Sequence, residues 1–515
     1  MRAARTVIFV GLSIALAACR RSATPLPNPS GTQFDQAGFA VAIDSNWAIV
    51  GVPKSDTLDS SAGKALIYER NGTWALQATV ASSVPATGAQ FGWSVDVSGT
   101  RAIVGAFNDV FNGAFINGAA YIFERTGGAW APVARLLGDT LGETGLGAAV
   151  SISGDYAVVG APLAPPPLFT GAGVAYVYRR EPGGAWVRDT TLRASDQLDF
   201  IEFGHSVSID GSTVVIGALK GVTASTVSGA AYVFERQGAQ WVQTQKLVPD
   251  DPQYHGYFGS SVSVAGPHIV VGARQDNEQG DDAGAAYVFE RLPPAPWQQT
   301  SKLLDPDGAL GDNAGSGVGI HGVHTVVGSW LGSLPPVNRP GKGLIYTPLA
   351  PGWEYRSGRS AVSPAYGDGF GASVGASNGC AIFGAPNRDV GPLQGVGASY
   401  IFCNLPAPTV PEANWDIICC VQIPDPAGPV IFATRLVNNG ATAMVGRRAV
   451  EGVTADGRVE VVTPWSAVSL APGDTLTERH VWRIAAAGQA LRWQELRLHF
   501  SDHNGRRTFR KMPNR

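Results

Sequence analysis

Charge is what this 515-residue chain has little of. Lys, Arg, Asp and Glu together make up 15% of it, whereas roughly a quarter is usual in soluble domains. The formal net charge is only −3, so no overall field favours binding to nucleic acid or to an anionic membrane surface. The basic C-terminal residues 506–515 do not change this, because short charged ends are usually solvated tails.

Motifs for metal binding, phosphate binding and catalysis are missing as well. The five cysteines do not form the two spaced pairs of a zinc site, and no glycine-rich loop leads into a helix, as phosphate binding would require. The stretch GASVG at residues 371–375 matches the nucleophile elbow G-x-S-x-G. That motif needs a strand-to-helix turn, whereas Ser373 lies in a predicted β-hairpin. We therefore predict no catalytic residue and no cofactor.

What the chain has in excess is glycine, with 65 residues, and proline, with 35. Together with 44% hydrophobic residues, this composition indicates an all-β protein with many turns. The glycines also reveal a repeat, because seven of them follow one another at spacings of 54, 55, 57, 55, 56 and 56 residues. These aligned glycines are Gly51, Gly105, Gly160, Gly217, Gly272, Gly328 and Gly384.

Each repeat predicts four strands. The segment FGHSVSIDGSTVVIGA at 203–218 alternates in polarity, turns at Asp-Gly and continues as an apolar run, which is typical of a tight hairpin. A variable loop precedes a third strand, which reads GAAYVFER at both 229–236 and 284–291. A fourth strand carries a tryptophan, such as Trp241. Four short strands in seven copies predict a seven-bladed β-propeller over residues 33–405.

The pattern FGxSVxIxG…VVGA…G…YVF resembles the FG-GAP repeat, the propeller unit of integrin alpha chains and of many bacterial envelope proteins. The resemblance covers residues 33–405. The seventh copy departs from it, because no Trp strand is present near Pro408. Either residues 27–33 complete this blade from the N-terminal side, or the blade stays short.

Integrin-type units bind calcium through a DxDxDG loop, which is a second departure, because this chain contains no intact copy. Two acidic loops come nearest to it. Their acidic residues are Asp276, Glu278, Asp281 and Asp282 in one loop, and Asp305, Asp307 and Asp312 in the other. Calcium takes six to eight oxygen ligands, so either loop would also need carbonyls and water. A weak calcium site and a solvated acidic loop are the two alternatives.

Residues 1–18 have the features of an export signal. Two arginines precede an apolar run at 7–18 that is too short to span a bilayer. The sequence LAAC at 16–19 resembles the lipobox of bacterial lipoproteins, which implies cleavage before Cys19 and a lipid anchor on that residue. Residues 19–32 then form a flexible tether. The resemblance implies a location in the cell envelope, at the outer membrane if the host has one. An ordinary secretory peptide is the alternative.

Four cysteines lie beyond the tether. Cys380 and Cys403 flank a predicted hairpin whose register places them opposite each other, which predicts a disulfide. Cys419 and Cys420 are adjacent, and the sequence assigns them no partner.

A proline-rich break at residues 406–415 predicts a linker. Beyond it, residues 416–515 contain short apolar strands separated by turn residues. This pattern predicts a small β-sandwich, loosely like bacterial immunoglobulin-like modules.

The expected function is binding without catalysis. Variable loops on a rigid propeller suit recognition of an extracellular protein or glycan, and Phe111, Phe115 and Phe169 are candidate contacts in those loops. A hydrolase or lyase in the central cleft is one alternative. It would require several Asp, Glu, His or Arg side chains from different copies to converge on one face, and the aligned copies show no such set. A purely structural envelope protein is the other alternative.

Overall fold

The structure of the protein is a computed structural model. It describes residues 23–109, 118–138, 145–164, 172–196, 198, 200–223, 226–291, 295–330, 340–349 and 352–406, and the backbone of seven C-terminal strands. Within residues 23–406 seven four-stranded antiparallel sheets follow one another along the chain. The predicted seven-bladed, all-β propeller is therefore confirmed.

In blades one to six the four blade strands pair in chain order from the innermost to the outermost. The first strands, which surround the central channel, are Val41–Asp44, Phe91–Ser98, Ala149–Ser153, Phe203–Asp210, Phe258–Ala265, Ala314–His321 and Val374–Ser377. The second strands are Trp47–Val52, Arg101–Ala106, Tyr156–Ala161, Thr213–Ala218, His268–Ala273, His324–Ser329 and Cys380–Ala385.

The third and fourth strands form the outer half of each blade. The third strands are Lys64–Asn71, Ala119–Thr126, Val174–Arg180, Ala230–Gln237, Ala285–Glu290, Lys342–Leu349 and Ala398–Cys403. The fourth strands of blades one to six are Thr73–Val80, Ala129–Leu136, Trp186–Leu192, Gln240–Leu247, Gln298–Leu303 and Gly352–Arg359. A small extra hairpin, Val222–Thr223 with Thr226–Val227, lies in the loop of blade four.

The seventh blade is completed from the N-terminal side. Thr24–Pro25 supplies its outermost strand, with Thr24 opposite Ile401. Closure from this side was one of the two predicted alternatives, and the pairing strand lies just before the predicted residues 27–33. Because the two ends of the propeller chain share one sheet, separation of the first and seventh blades would break this pairing.

The repeated glycines allow neighbouring blades to approach at backbone distance. A Cβ atom on Gly217 would lie 2.1 Å from the carbonyl oxygen of Gly259 in the next blade. Gly259 has a φ of +90°, which is strained for residues with a side chain. The same contact closes the ring, where a Cβ on Gly384 would lie 1.9 Å from the oxygen of Gly38. The two glycines of each repeat are thus required by the contact between blades.

A hairpin serine that recurs in four of the seven copies strengthens the same contact. Ser206 Oγ donates a hydrogen bond of 2.9 Å to the carbonyl oxygen of Gly259, and Ser373 Oγ donates one of 2.9 Å to that of Gly38. Ser373 therefore joins the seventh blade to the first, and no helix follows it. The structural interpretation of the GASVG stretch is confirmed.

The duplicated octet GAAYVFER forms the third strands of blades four and five. Glu235 in the first copy makes an ion pair with Arg291 in the second copy. The guanidinium carbon of Arg291 also lies 4.8 Å from the ring centroid of Trp297. Glu124 and Arg180 form an equivalent pair, at 2.7 Å, between blades two and three. The Glu-Arg ending of this strand therefore links one blade to the next.

The C-terminal region contains two antiparallel sheets. The three-stranded sheet has the strands Trp415–Ile417, Val430–Asn438 and Thr475–Trp482. The four-stranded sheet has the strands Val459–Leu470, Met444–Thr454, Trp493–Ser501 and Arg507–Lys511. These strands provide the two sheets that the predicted β-sandwich requires.

Candidate functional site

The propeller has three surfaces on which a site could lie. The turn face carries the connections between first and second strands and between third and fourth strands. The loop face carries the connections between second and third strands and those from one blade to the next. The central channel joins the two faces and contains a cavity of about 600 Å³ lined by the first strands.

At its turn-face end the channel is surrounded by a ring of hydrogen bonds between blades. Asp44 accepts one of 2.7 Å from the backbone N–H of Gly99, and Asp210 accepts one of 2.7 Å from Gly266. The ring passes from the seventh blade to the first, where Ser377 accepts from the N–H of Ser45. The other acceptors in this column are Ser98, Ser153 and His321.

A second column of polar side chains lies two residues deeper in the first strands. Asp96 Oδ2 accepts hydrogen bonds of 2.8 Å from Ser151 Oγ and from the N–H of Ile152. In the next three blades, serine hydroxyl oxygens accept hydrogen bonds from backbone N–H groups of the following blade. The pairs are Ser151 with Ile209, Ser208 with Val264, and Ser263 with Ile320. Each blade thereby binds N–H groups on the exposed edge of the next sheet, which would otherwise face the channel.

Acidic and histidine side chains therefore do converge at the channel, although the aligned sequence copies did not suggest it. Asp44, Asp96, Asp210 and His321 come from four different blades. However, each accepts a hydrogen bond from a neighbouring backbone, so the set is explained by blade assembly. The recurrence of Ser or Asp at the same two positions in most copies is the sequence signal that could have identified these columns.

Asp96 has the most perturbed carboxyl group of the channel. Burial raises its pKa to about 6, because burial disfavours the charged form more than the hydrogen bonds from Ile152, Ser151 and Val97 favour it. Since this group accepts three hydrogen bonds from its own and the next strand, it has little capacity left for a substrate.

The first acidic loop surrounds a lysine rather than an open cation site. Lys302 Nζ lies 2.5 Å from Asp251, 2.9 Å from Asp276 and 2.7 Å from Glu278. Burial opposes its charge, but the hydrogen bonds to these carboxylates raise the pKa of Lys302 above its ordinary value. Asp276 also accepts a hydrogen bond of 2.7 Å from the buried Tyr287 hydroxyl. The ammonium thus occupies the position between these carboxylates in which the calcium hypothesis would place the metal ion.

The second acidic loop is arranged in the same way. Lys342 makes an ion pair with Asp305, and its Nζ lies 4.0 Å from Asp312. Asp305 and Asp312 are buried, and the backbone N–H of Asp307 donates to Asp305 Oδ1.

The remaining acidic candidates serve the contact between these two loops. The carbonyl of Asp281 accepts from Gly311, and that of Asp282 accepts from Asn313. In the described part of the chain, no group of three or more His, Cys, Asp or Glu residues could hold a metal ion. The geometry of the described residues therefore offers calcium no coordination shell.

The cysteines are placed as follows. Cys380 lies opposite Cys403 in the strand register, and the two form a disulfide in the seventh blade. Cys19, Cys419 and Cys420 lie outside the described residues, as do the candidate contacts Phe111, Phe115 and Phe169. Among the described residues, no helix has the length and the apolar character needed to cross a membrane.

Exposed apolar side chains are concentrated on the loop face. Fifteen large hydrophobic residues of the described chain are exposed, and only Val133 and Val242 lie on outermost strands. The other thirteen all lie in loop-face connections: Phe34, Leu58, Val84, Leu163, Leu198, Phe200, Tyr254, Leu310, Trp330, Val362, Tyr366, Val390 and Leu393. Their concentration on one face of the propeller makes that face the better candidate for an interaction surface.

Three segments of the chain match the FG-GAP repeat family model: residues 74–123, 186–234 and 241–289. Each match begins in the fourth strand of one blade and ends in the third strand of the next. The family repeat therefore includes the contact between blades. No curated protein matches the sequence significantly.

Solved structures resemble the chain only distantly. A novel fungal alcohol oxidase of the AA5 family, in complex with copper, has 10% identity and a TM-score of 0.37, and the match covers 96% of this chain and 100% of that one. For an exo-β-1,3-galactanase from Phanerochaete chrysosporium the identity is 11%, the TM-score 0.27 and the coverage 76% and 89%. An acylaminoacyl peptidase from Pyrococcus horikoshii has 7% identity and a TM-score of 0.38, and the match covers 81% of this chain and 58% of that one. These low scores carry no argument about function.

Proposed function

Because three segments of the propeller match the FG-GAP repeat model, we propose that the chain is a non-enzymatic binding module whose loop face recognises an extracellular protein or glycan. The observation that carries the proposal is the uneven distribution of exposed apolar side chains. Thirteen of the fifteen on the described chain lie in loop-face connections. A binding partner would remove that surface from water, which is favourable.

The construction of the fold supports this use of the loop face. Backbone contacts at Gly217 and Gly384 fix each blade against the next, so the loops extend from a rigid support. Loops in such positions can vary without loss of the fold, which is why binding residues often lie there. The turn face, by comparison, carries short polar turns such as Asp210-Gly211 and Ser153-Gly154.

The paired polar groups of the channel support a role without catalysis. Asp44, Asp96 and Asp210 all accept hydrogen bonds from neighbouring backbone N–H groups. A general acid or base must be within reach of the substrate and free to exchange its proton.

We also propose that the protein is attached to the cell envelope by lipid on Cys19. The support is the lipobox-like sequence at 16–19, followed by a Pro- and Ser-containing tether. Cells fed an alkyne-tagged palmitate should label the full chain, and Cys19→Ser should abolish the labelling. Labelling that persists in Cys19→Ser would contradict the lipid anchor.

Capture of envelope material by the full chain tests the binding proposal. Leu58→Ser, Tyr366→Ser and Val390→Ser together should remove most of the capture, because these residues are at least 49% exposed on the loop face. Val133→Ser with Val242→Ser is the matched control on the outer edge and should retain it. A protein that captures nothing, or whose capture is lost equally in both variants, would favour the purely structural role.

A further inference from the structure

In six of the blades, a described connection adopts a backbone conformation that glycine prefers. Three residues before the first-strand position occupied by Phe91, Phe203 or Phe258, the backbone has a positive φ. Glycine occupies this position in blades two, six and seven, as Gly88, Gly311 and Gly367. Blades one, four and five instead have Phe34, Phe200 and His255, with φ values of 66°, 60° and 57°. These three residues are strained in a conformation that costs glycine nothing.

Two residues later the backbone has a positive φ in all seven blades, and Tyr257, with a φ of 53°, occupies this position in blade five. Phe200 is also 59% exposed. Both its backbone conformation and the contact of its apolar ring with water are therefore unfavourable. Since glycine serves the same backbone in other blades, folding does not explain the large side chains. Strained residues that persist on a surface are often found at binding sites.

The blade-five connection carries an ordered stack of rings. The Tyr254 and His255 ring centroids are 3.9 Å apart with an interplanar angle of 19°. The His255 and Tyr257 rings are 5.7 Å apart and nearly parallel, at 9°. Tyr254, at the end of the stack, is 67% exposed. The rings therefore offer an extended aromatic surface with one open end.

Arg274 stands at the other end of this stack. Its guanidinium carbon lies 5.6 Å from the Tyr257 ring centroid. Among the described residues it makes neither an ion pair nor a hydrogen bond. The nearby Lys220, in contrast, is paired with Glu202 at 2.6 Å. Arg274 thus has hydrogen-bond donors available for an anionic ligand, and its planar group fits a carboxylate.

The other titratable group of this patch does not compete for an anion. Burial and the charge of Arg274 lower the pKa of His205 to about 4, so His205 is neutral at pH 7. Glu202 and Lys220 form an ion pair with each other, so Arg274 is the cation of this patch that has no carboxylate partner among the described residues. The charge of Arg274 favours an anionic ligand, and the parallel aromatic rings favour a ligand that has a weakly polar face to pack against them.

We propose that Tyr254, His255, Tyr257 and Arg274 form a binding site for an acidic glycan. A sugar ring packs its C–H face on the aromatic stack, and a uronic acid carboxylate accepts hydrogen bonds from Arg274. This inference rests on the proposed binding function and names its ligand class. An acidic peptide would also satisfy Arg274, but a uronic acid combines a carboxylate and a C–H face for ring packing in one rigid unit.

The test uses the full chain and three uronate polymers: polygalacturonate, alginate and hyaluronan, each beside its carboxyl-reduced counterpart. Calorimetric titration should show binding to at least one polymer, with at least tenfold weaker binding after carboxyl reduction. Arg274→Gln should remove this preference. Tyr254→Ala should weaken binding to both forms at least tenfold, because stacking does not depend on the carboxylate.

His255→Gly provides a variant that is expected to fold and that removes one ring of the stack. It introduces the residue found at the same position in blades two, six and seven, so its Tm should stay equal or rise while uronate affinity falls at least fivefold. Phe34→Gly is the matched control, since it relieves the same strain in blade one, where no Arg274 equivalent is present. It should leave uronate affinity unchanged.

Three outcomes would overturn the proposal: no binding to any uronate polymer, binding that Arg274→Gln and Tyr254→Ala leave unaltered, or binding to acidic peptides only. Each can be told from failure of the general binding function. If the full chain still captures envelope material and the loop-face serines abolish capture, the binding module stands and only its assignment to acidic glycans falls.

Discussion

The channel and the loop face are built by the same repeat, yet they differ in how their exposed groups are satisfied. In the channel, side chains such as Ser153 and Asp210 bind backbone N–H groups of the next blade. On the loop face, Phe200 and Tyr254 expose more than half of their surface to water. The repeat therefore supplies hydrogen-bond partners for the backbone groups that face neighbouring blades. The variable connections at the loop face are not constrained in this way and can bind a partner.

The largest loss of stability is expected at the close backbone contact between neighbouring blades. Gly217→Ala would place a Cβ 2.1 Å from the Gly259 oxygen and 2.3 Å from Ser206 Oγ. Overpacking of this kind against backbone should cost about 3 kcal/mol or more in the free energy of unfolding. Denaturant unfolding measures the cost.

Gly183→Ala is the control for this substitution. Gly183 has no left-handed φ and no neighbouring atom within 4 Å of a new Cβ, so the change should stay within about 0.5 kcal/mol. Equal stability of the two variants would show that the blades are not held at backbone distance.

A smaller loss is expected beneath the loop face, where charges are paired inside the protein. Lys302→Met leaves Asp276, Asp251 and Glu278 without their cation. Because Asp276 is buried, removal of its partner should cost about 2–4 kcal/mol. Thermal unfolding at pH 7 measures the loss.

Addition of Asp276→Asn to Lys302→Met should restore part of the lost stability, because the double variant no longer buries an unpaired charge. If Lys302→Met proves as stable as the original chain, the lysine does not occupy the cation position of this loop.

The smallest effect concerns the channel and depends on pH. The folded-state pKa of Asp96 is raised to about 6, above the roughly 3.9 of an unfolded chain. The folded protein therefore favours the protonated form, and stability contributed by Asp96 is full below pH 4 and falls as the pH rises to about 6. The fall should amount to roughly 1–3 kcal/mol.

Asp96→Asn should remove this component, so its stability should depend less on pH between 4 and 6.5 than that of the original chain. Paired unfolding curves across that range give the difference. Parallel pH profiles for the two proteins would mean that the Asp96 carboxyl is not perturbed by the channel.

Several elements could be predicted because their signals are local. The Asp210-Gly211 turn and the alternation of Val207 and Ile209 predict a hairpin wherever they occur, and the hairpin is present. The opposition of Cys380 and Cys403 followed from strand register in the same way. Such features depend on backbone conformations that a few consecutive residues decide.

The contacts between copies could not be predicted with equal success. The octet at 229–236 predicts a strand, but it does not indicate that Glu235 pairs with Arg291 one blade further on. The acidic loop around Asp276 looks suitable for calcium until Lys302, more than twenty residues away, is placed beside it. In both cases the partner lies on a different strand, and only the packing brings the two together.

The number of blades follows from the amino-acid sequence, because the period of 54 to 57 residues between aligned glycines can be counted without any structural information. The sequence also determined the strands, because alternation and turn residues act over a few positions. The tertiary structure alone decided which groups remain available. Asp96 and Arg274 are both ionisable residues of the propeller, but the first accepts hydrogen bonds from the next blade, whereas the second lies against the ring of Tyr257. The physical reason is that hydrogen-bond partners and desolvation come from neighbouring sheets, and their positions are fixed only when the ring closes.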